Sequence, residues 1–245
     1  MAGNEQCWHW APEELALTSG PDAGQWIVEA LRRGSFDVGS LVPPVFPAYA
    51  RVFHPVYLRR GDDWTRINWR TVAEQHGTIA HAAMSWQTIT GTHRPGYDPE
   101  EGSLPQPEAR ALTSILQDHT AAPDTCWFAI WDGYGDTEPP RGIEHLDVPG
   151  RGMIVLRGAI DAAAARFGKT PHNWSGGYSA NLRWPNDHTW CVATDIDHKT
   201  TYVGGTAACI DAILTDPRLE AFPVPDTHFI GWTADTINPH PPYRT

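Results

Sequence analysis

Between Thr189 and Val224 the chain reads TWCVATDIDHKTTYVGGTAACIDAILTDPRLEAFPV. Trp190, Val192, Thr194 and Ile196 alternate with Cys191, Ala193, Asp195 and Asp197, the period of a strand with two distinct faces. Tyr202-Val203 begins a second short strand, Gly204-Gly205 reads as its break, and Thr206 stands where a helix N-cap belongs. Ala207, Ile210, Ile213 and Leu214 then recur at helical spacing until Asp216-Pro217, where proline lacks the amide and clashes with the preceding turn. The predicted unit is strand, turn, helix. A helix with one apolar stripe needs a sheet to cover, so the rest of the chain must supply that sheet.

The suppliers are short apolar runs. Cys126 to Trp131, stopped by Asp132-Gly133, and Arg151 to Arg157 are strand candidates. Helices are expected after Asp22, carrying Trp26, Ile27, Ala30 and Leu31 and closed by Gly34, and after Asn68, carrying Trp69, Val72, Ala73 and His76 and closed by Gly77. Pro107 opens another with Leu112, Ile115 and Leu116, and Ile160, Ala163, Ala164 and Phe167 mark one closed by Gly168. The aromatic run from Leu41 to Tyr57 allows a short helix turning into a strand at His54-Pro55. Residues 92–106 are Pro, Gly and polar, a long loop whose flanks share one composition. The expected fold is α+β, with one mixed, largely antiparallel sheet and helices packed on it. Residues 1–245 read as a single domain and 1–20 as an N-terminal arm lying on it.

Apolar residues at 41% and charged residues at 19% argue for a packed core, and most of the twelve tryptophans are expected in it. A net charge of -11, with only two lysines among 18 basic residues, disfavours nonspecific nucleic-acid binding. Cys7, Cys126, Cys191 and Cys209 are far apart with no C-x-x-C pair, which argues for reduced thiols in a cytosol and against a zinc ribbon or disulfide scaffold. The N-terminal residues lack the pattern of an export signal, and no apolar run is long enough to span a membrane. The expectation is a cytoplasmic protein needing neither cofactor nor structural metal.

Asp195, Asp197 and His198 form the most metal-like cluster, with a polar strand end as the plain alternative. Gly204-Gly205-Thr206 is either an anion cradle at a helix start or a tight turn with its cap. Cys126 and Cys191 sit in apolar strands, where a thiol is inert core rather than nucleophile. No G-x-S-x-G, H-E-x-x-H or S-x-x-K motif occurs, so no residue is assigned a catalytic role. The loop W-D-G-Y-G-D could flank a sugar with Asp132 and Asp136 or serve as an aromatic-anchored surface.

Charge is unevenly spread. From Arg94 to Gly150 eleven acids face three arginines, whereas from Arg51 to Arg70 five arginines face two aspartates. An acidic stretch with aromatic neighbours suits a protein partner with a basic surface, and Trp131, Asp132, Tyr134, Asp136 and Glu138 are the expected contact residues.

The segments VPPVFPAYARVFHP (42–55), CWFAIWDGYG (126–135) and WCVATDIDHKTTYVGGT (190–206) give the chain a resemblance, over nearly its whole length, to a family of uncharacterised actinobacterial cytoplasmic proteins. Pro43 through Tyr57 is also similar to the V-P-x-x-F-x-x-Y opening of the SUKH superfamily, with His54-Pro55 where that family carries Asn-Gly. That resemblance implies an α+β fold and an immunity role against toxins. The expected function is therefore a non-enzymatic, immunity or antitoxin-type binder; the alternative is a hydrolase with a His/Asp site in a Trp-rich cleft.

Overall fold

The computed structural model describes residues 10–18, 20–91, 97–135, 141–168 and 177–241. Eleven strands lie among them: β1 (Ala16–Leu17), β2 (Ala48–Phe53), β3 (Val56–Arg60), β4 (Asp63–Ile67), β5 (Cys126–Trp131), β6 (Leu146–Val148), β7 (Arg151–Gly158), β8 (Leu182–Pro185), β9 (Trp190–Ala193), β10 (Thr200–Gly205) and β11 (Ala221–Val224). Nine of them make one open sheet in the order β1-β7-β5-β8-β9-β10-β2-β11, with β6 also on β7; β3 and β4 form a separate hairpin. Each pairing among the described strands is antiparallel. Five α-helices accompany the strands: α1 (Gln25–Ala30), α2 (Trp69–His76), α3 (Trp86–Thr90), α4 (Gln106–Gln117) and α5 (Ala207–Thr215). The fold is α+β.

Both faces of the sheet are covered, which explains why β8, β9 and β10 are buried at each residue. One face carries α4, α5 and the 3-10 helix Ile160–Ala164, whose Leu112, Ile160 and Ile213 pack on Phe128, Ile154, Val192 and Val203. The other carries α1 and the segment around Val38 and Val42, packed on Leu182, Trp184, Cys191 and Tyr202. At the β2 end, α2 and α3 form a third cluster around Phe53, Trp69 and Trp86, whose indoles meet edge to face at 5.2 Å.

The expected strand and helix between Thr189 and Val224 are present, and Thr206 caps α5 by accepting the Cys209 amide at 3.2 Å. Gly204-Gly205, however, continues β10 and pairs with Cys191 and Trp190 on one side and Tyr49 and Ala48 on the other. Neither glycine has a left-handed φ. Gly204 is required by close approach instead: a Cβ there would lie 2.5 Å from Phe46 and 2.8 Å from Val42. On α5 the buried residues are Cys209, Ile210 and Ile213, and Leu214 is only half-buried.

Other expectations are revised by pairing. The Leu41–Tyr57 run forms turns and then strands β2 and β3, with no helix, because β2 is sandwiched between β10 and β11. The Ile160 helix is a single 3-10 element ending at Ala164, and Phe167 beyond it pairs with Tyr178. Asn68 precedes α2, but its side chain does not cap it. The Glu220 carboxylate does so from 150 residues away, accepting the amides of Trp69 at 2.6 Å and Arg70 at 2.7 Å.

Candidate functional site

At the end of β5, Trp131 meets Tyr134 edge to face at 5.4 Å, and Tyr134 stacks on Tyr178 at 3.8 Å. Tyr134 is buried, its hydroxyl accepts the Asn181 amide at 3.2 Å, and burial pushes its phenol up to about 12. Its ring is thus committed to the interior rather than offered as a surface anchor. Trp131 is half-buried, as is Asp132, whose carboxylate stands 3.4 Å from His145 Nδ1. Asp136 and Glu138 lie outside the described residues. The organiser of this corner is Asn181, which also accepts the Trp131 amide at 2.9 Å and donates to the Thr194 carbonyl at 3.1 Å. Its role depends on β5, β8 and β9 converging, which no local pattern announces.

Asp195 and Asp197 sit beyond the end of β9, and both carboxylates pair with one guanidinium, that of Arg151, at 3.0 Å in the case of Asp197. An arginine already supplies the positive charge that a cation would bring, and His198 is turned toward the Tyr202 ring at 6.3 Å. Among the described residues no group of three His, Cys, Asp or Glu is placed to hold a metal. Beside this ion pair lies a cleft of about 230 Å³, lined by Leu31, Leu41, Met153, Leu182 and Ala193 and rimmed by Arg151 and Asp195. Sites for drug-sized ligands begin at roughly 300 Å³.

The nucleophile candidates are equally committed. Cys126, Cys191 and Cys209 are buried free thiols, and burial pushes Cys126 and Cys209 up to about 12 and Cys191 up as well. His54 is fully buried between the Glu100 carbonyl at 2.7 Å and the Thr201 hydroxyl at 2.9 Å, and burial lowers it to about 3. His81 also pairs with a carboxylate, Nε2 lying 2.9 Å from Asp235 Oδ1. Its Nδ1 accepts the Ala83 amide at 3.2 Å, so no nitrogen is left to take a proton from a nucleophile.

Asp235 belongs to a feature without a sequence period, the strap 225–241. Near its start the strap is tied to the 32–39 segment by the Arg32–Asp226 ion pair and by the Val38 and Gly39 amides, which donate to His228 and Asp226 carbonyls at 3.0 and 2.8 Å. The Ile230 amide likewise donates to the Phe36 carbonyl at 3.0 Å. At the far end Asn238 clasps the Ile79 backbone, accepting its amide at 2.8 Å and donating to its carbonyl at 2.9 Å. Phe229, Trp232 and Ile237 on the strap, and Phe36 and Ile79 beside it, make up five of the seven exposed large hydrophobics among the described residues. Trp232 is 62% exposed and Phe36 73%. Isolated exposed apolar side chains are ordinary, but these five lie on or beside one strap.

Compared with known proteins, the chain matches no family model, no curated protein and no solved structure. Among the described residues no helix is long and apolar enough to cross a membrane.

Proposed function

We propose that this chain is a protein-binding module of the immunity or antitoxin type, acting in the cytoplasm, and that its partner is a protein with a basic surface. The observation that carries the reading is the gathering of Phe36, Ile79, Phe229, Trp232 and Ile237 along the strap. Aromatic side chains held on a fixed backbone make effective binding anchors because little conformational entropy is lost when they are covered. The net charge of -11 supports a basic partner, since long-range attraction raises the rate of encounter and disfavours acidic competitors. The buried thiols and the doubly engaged His54 and His81 also support binding over hydrolysis, since these groups are occupied in holding the fold.

The surface proposed here is not the one expected from the sequence. Asp132 remains a candidate rim charge, whereas the anchoring role passes from Trp131 and Tyr134 to Phe229 and Trp232. The test is affinity purification from the native host with wild type and a Phe229→Ser, Trp232→Ser double variant, followed by reconstitution with the purified partner. The expected result is a basic protein that binds wild type with salt-sensitive association and binds the folded double variant at least tenfold more weakly. Equal binding by the two, or a partner that is acidic, overturns the proposal.

A further inference from the structure

On β8, Leu182 and Trp184 face the α1 side of the sheet, so Arg183 between them points to the opposite face, the one covered by α4 and α5. There its neighbours across the sheet are Phe128 and Val192. Arg183 is only 2% exposed, among the largest fully buried side chains of the molecule. Its Nη1 donates to the Ala163 carbonyl at 2.9 Å, whereas Nε and Nη2 are buried without any hydrogen-bond partner. These two nitrogens form one edge of the guanidinium, the edge whose parallel N–H bonds match the two oxygens of a carboxylate or phosphate.

The surroundings deepen the deficit. Arg183 makes no ion pair among the described residues, and the largest Coulombic influence on it is a second cation, Arg166, on which the carboxylates of Glu100 and Glu108 act in turn. Arg166 donates to the Ser103 hydroxyl at 2.9 Å and the Leu104 carbonyl at 2.8 Å, and its own Nε is also buried without a partner. Burial lowers Arg183 to about 10, still far above neutral pH, so the group is a cation inside the protein. An uncompensated buried charge is strongly destabilising, and an orphaned donor edge adds to the cost.

We propose that the Nε/Nη2 edge of Arg183, with Arg166 beside it, is the receptor of a small two-oxygen oxyanion, a carboxylate or a phosphate, held between β8 and the covering 160–166 segment. Such a ligand supplies the missing charge and both missing acceptors at once. The site lies on the opposite face of the sheet from the Arg151 cleft and is separate from the strap.

The experiment titrates the full chain with inorganic phosphate and, separately, with acetate, each against sodium chloride at matched ionic strength. Thermal unfolding and equilibrium dialysis of the labelled anion are the readouts. One anion should bind wild type at a single site and raise Tm saturably by several degrees; which of the two does so identifies the source. Arg183→Met should abolish this response, and Arg183→Lys, which keeps the charge without the fork, should weaken binding at least tenfold. If neither anion binds wild type beyond the chloride control, the proposal is overturned, and this arm requires no variant to fold. A response that persists undiminished in Arg183→Met overturns it as well.

Discussion

Asp235 and Arg183 are both charged groups removed from solvent, and their treatment could hardly differ more. The Asp235 carboxylate, held where the strap crosses the 79–88 segment, accepts from His81, Thr88, the Ile237 and Asn238 amides and the Asn238 side chain. Burial alone would raise its pKa, yet the bonds from Thr88, Asn238 and Ile237 prevail and hold it at about 2. Arg183, in the middle of the sheet, has one bond and an open edge. A charge satisfied by its own chain is a fastening; a charge left open points to something that is not part of the chain.

The largest expected effect is at the fastening. Asp235→Ala leaves His81 and two strap amides without acceptors, and should cost about 3 to 5 kcal/mol, the usual penalty for breaking a buried, fully bonded charge. Asp235→Asn keeps part of the acceptor set and should cost less. Because the folded pKa lies below the unfolded one, the Asp235 contribution is complete above about pH 4. It is lost as pH falls toward 2. Urea melts between pH 2 and pH 7 should show an acid-side decline that is shallower in Asp235→Asn. If Asp235→Ala unfolds with wild-type stability, the strap is not fastened there.

Glu220 is the intermediate case. Its carboxylate caps α2 through the Trp69 and Arg70 amides, but burial outweighs those bonds and the charge of Arg70, and its pKa is raised. The sign is therefore opposite to that of Asp235: the contribution is present below the ordinary carboxylate range and is lost as pH rises through the elevated folded pKa. Glu220→Ala should cost about 1 to 2 kcal/mol, as loss of a helix cap does. Glu220→Gln should remove its share of the decline on the rising-pH side. A pH profile identical to wild type in Glu220→Gln would show that the carboxyl does not titrate in this window.

These three groups also mark how far the sequence could be read. Elements whose pattern is local were legible: α5 with its Thr206 cap, α4 behind Pro107, and the apolar runs of β5 and β7. Strands buried on both faces lose the alternation that would distinguish them from helices, which is why the aromatic spacing in the Leu41–Tyr57 run allows a short helix where β2 lies. Glu220 acts on an element 150 residues earlier, and Asp235 on one 147 residues earlier, so neither has a local signature. The W-D-G-Y-G-D loop displays its aromatics in the sequence, but only the fold reveals that Tyr178 and Asn181 hold Tyr134 inside. The strap's exposed Phe229 and Trp232 were invisible for the converse reason: an apolar residue in an aperiodic segment looks the same whether it is covered or not.

The smallest expected effect is at Arg183, and it is the sharpest test of the contrast. Arg183→Met replaces the buried cation with an apolar chain, removing the desolvation of the charge and the two orphaned donors at the expense of one bond to the Ala163 carbonyl. That bond contributes about 0.5 to 1.5 kcal/mol. Replacing a buried, poorly compensated charge by a well-packed apolar side chain is commonly neutral or stabilising. In buffer free of oxyanions, the variant should therefore unfold within about 1 kcal/mol of wild type or above it. With a saturating oxyanion present, wild type alone should gain, so the order of the two melting curves reverses. A loss of 3 kcal/mol or more in the oxyanion-free buffer would show that Arg183 is compensated by the chain itself, and would make it a second fastening like Asp235.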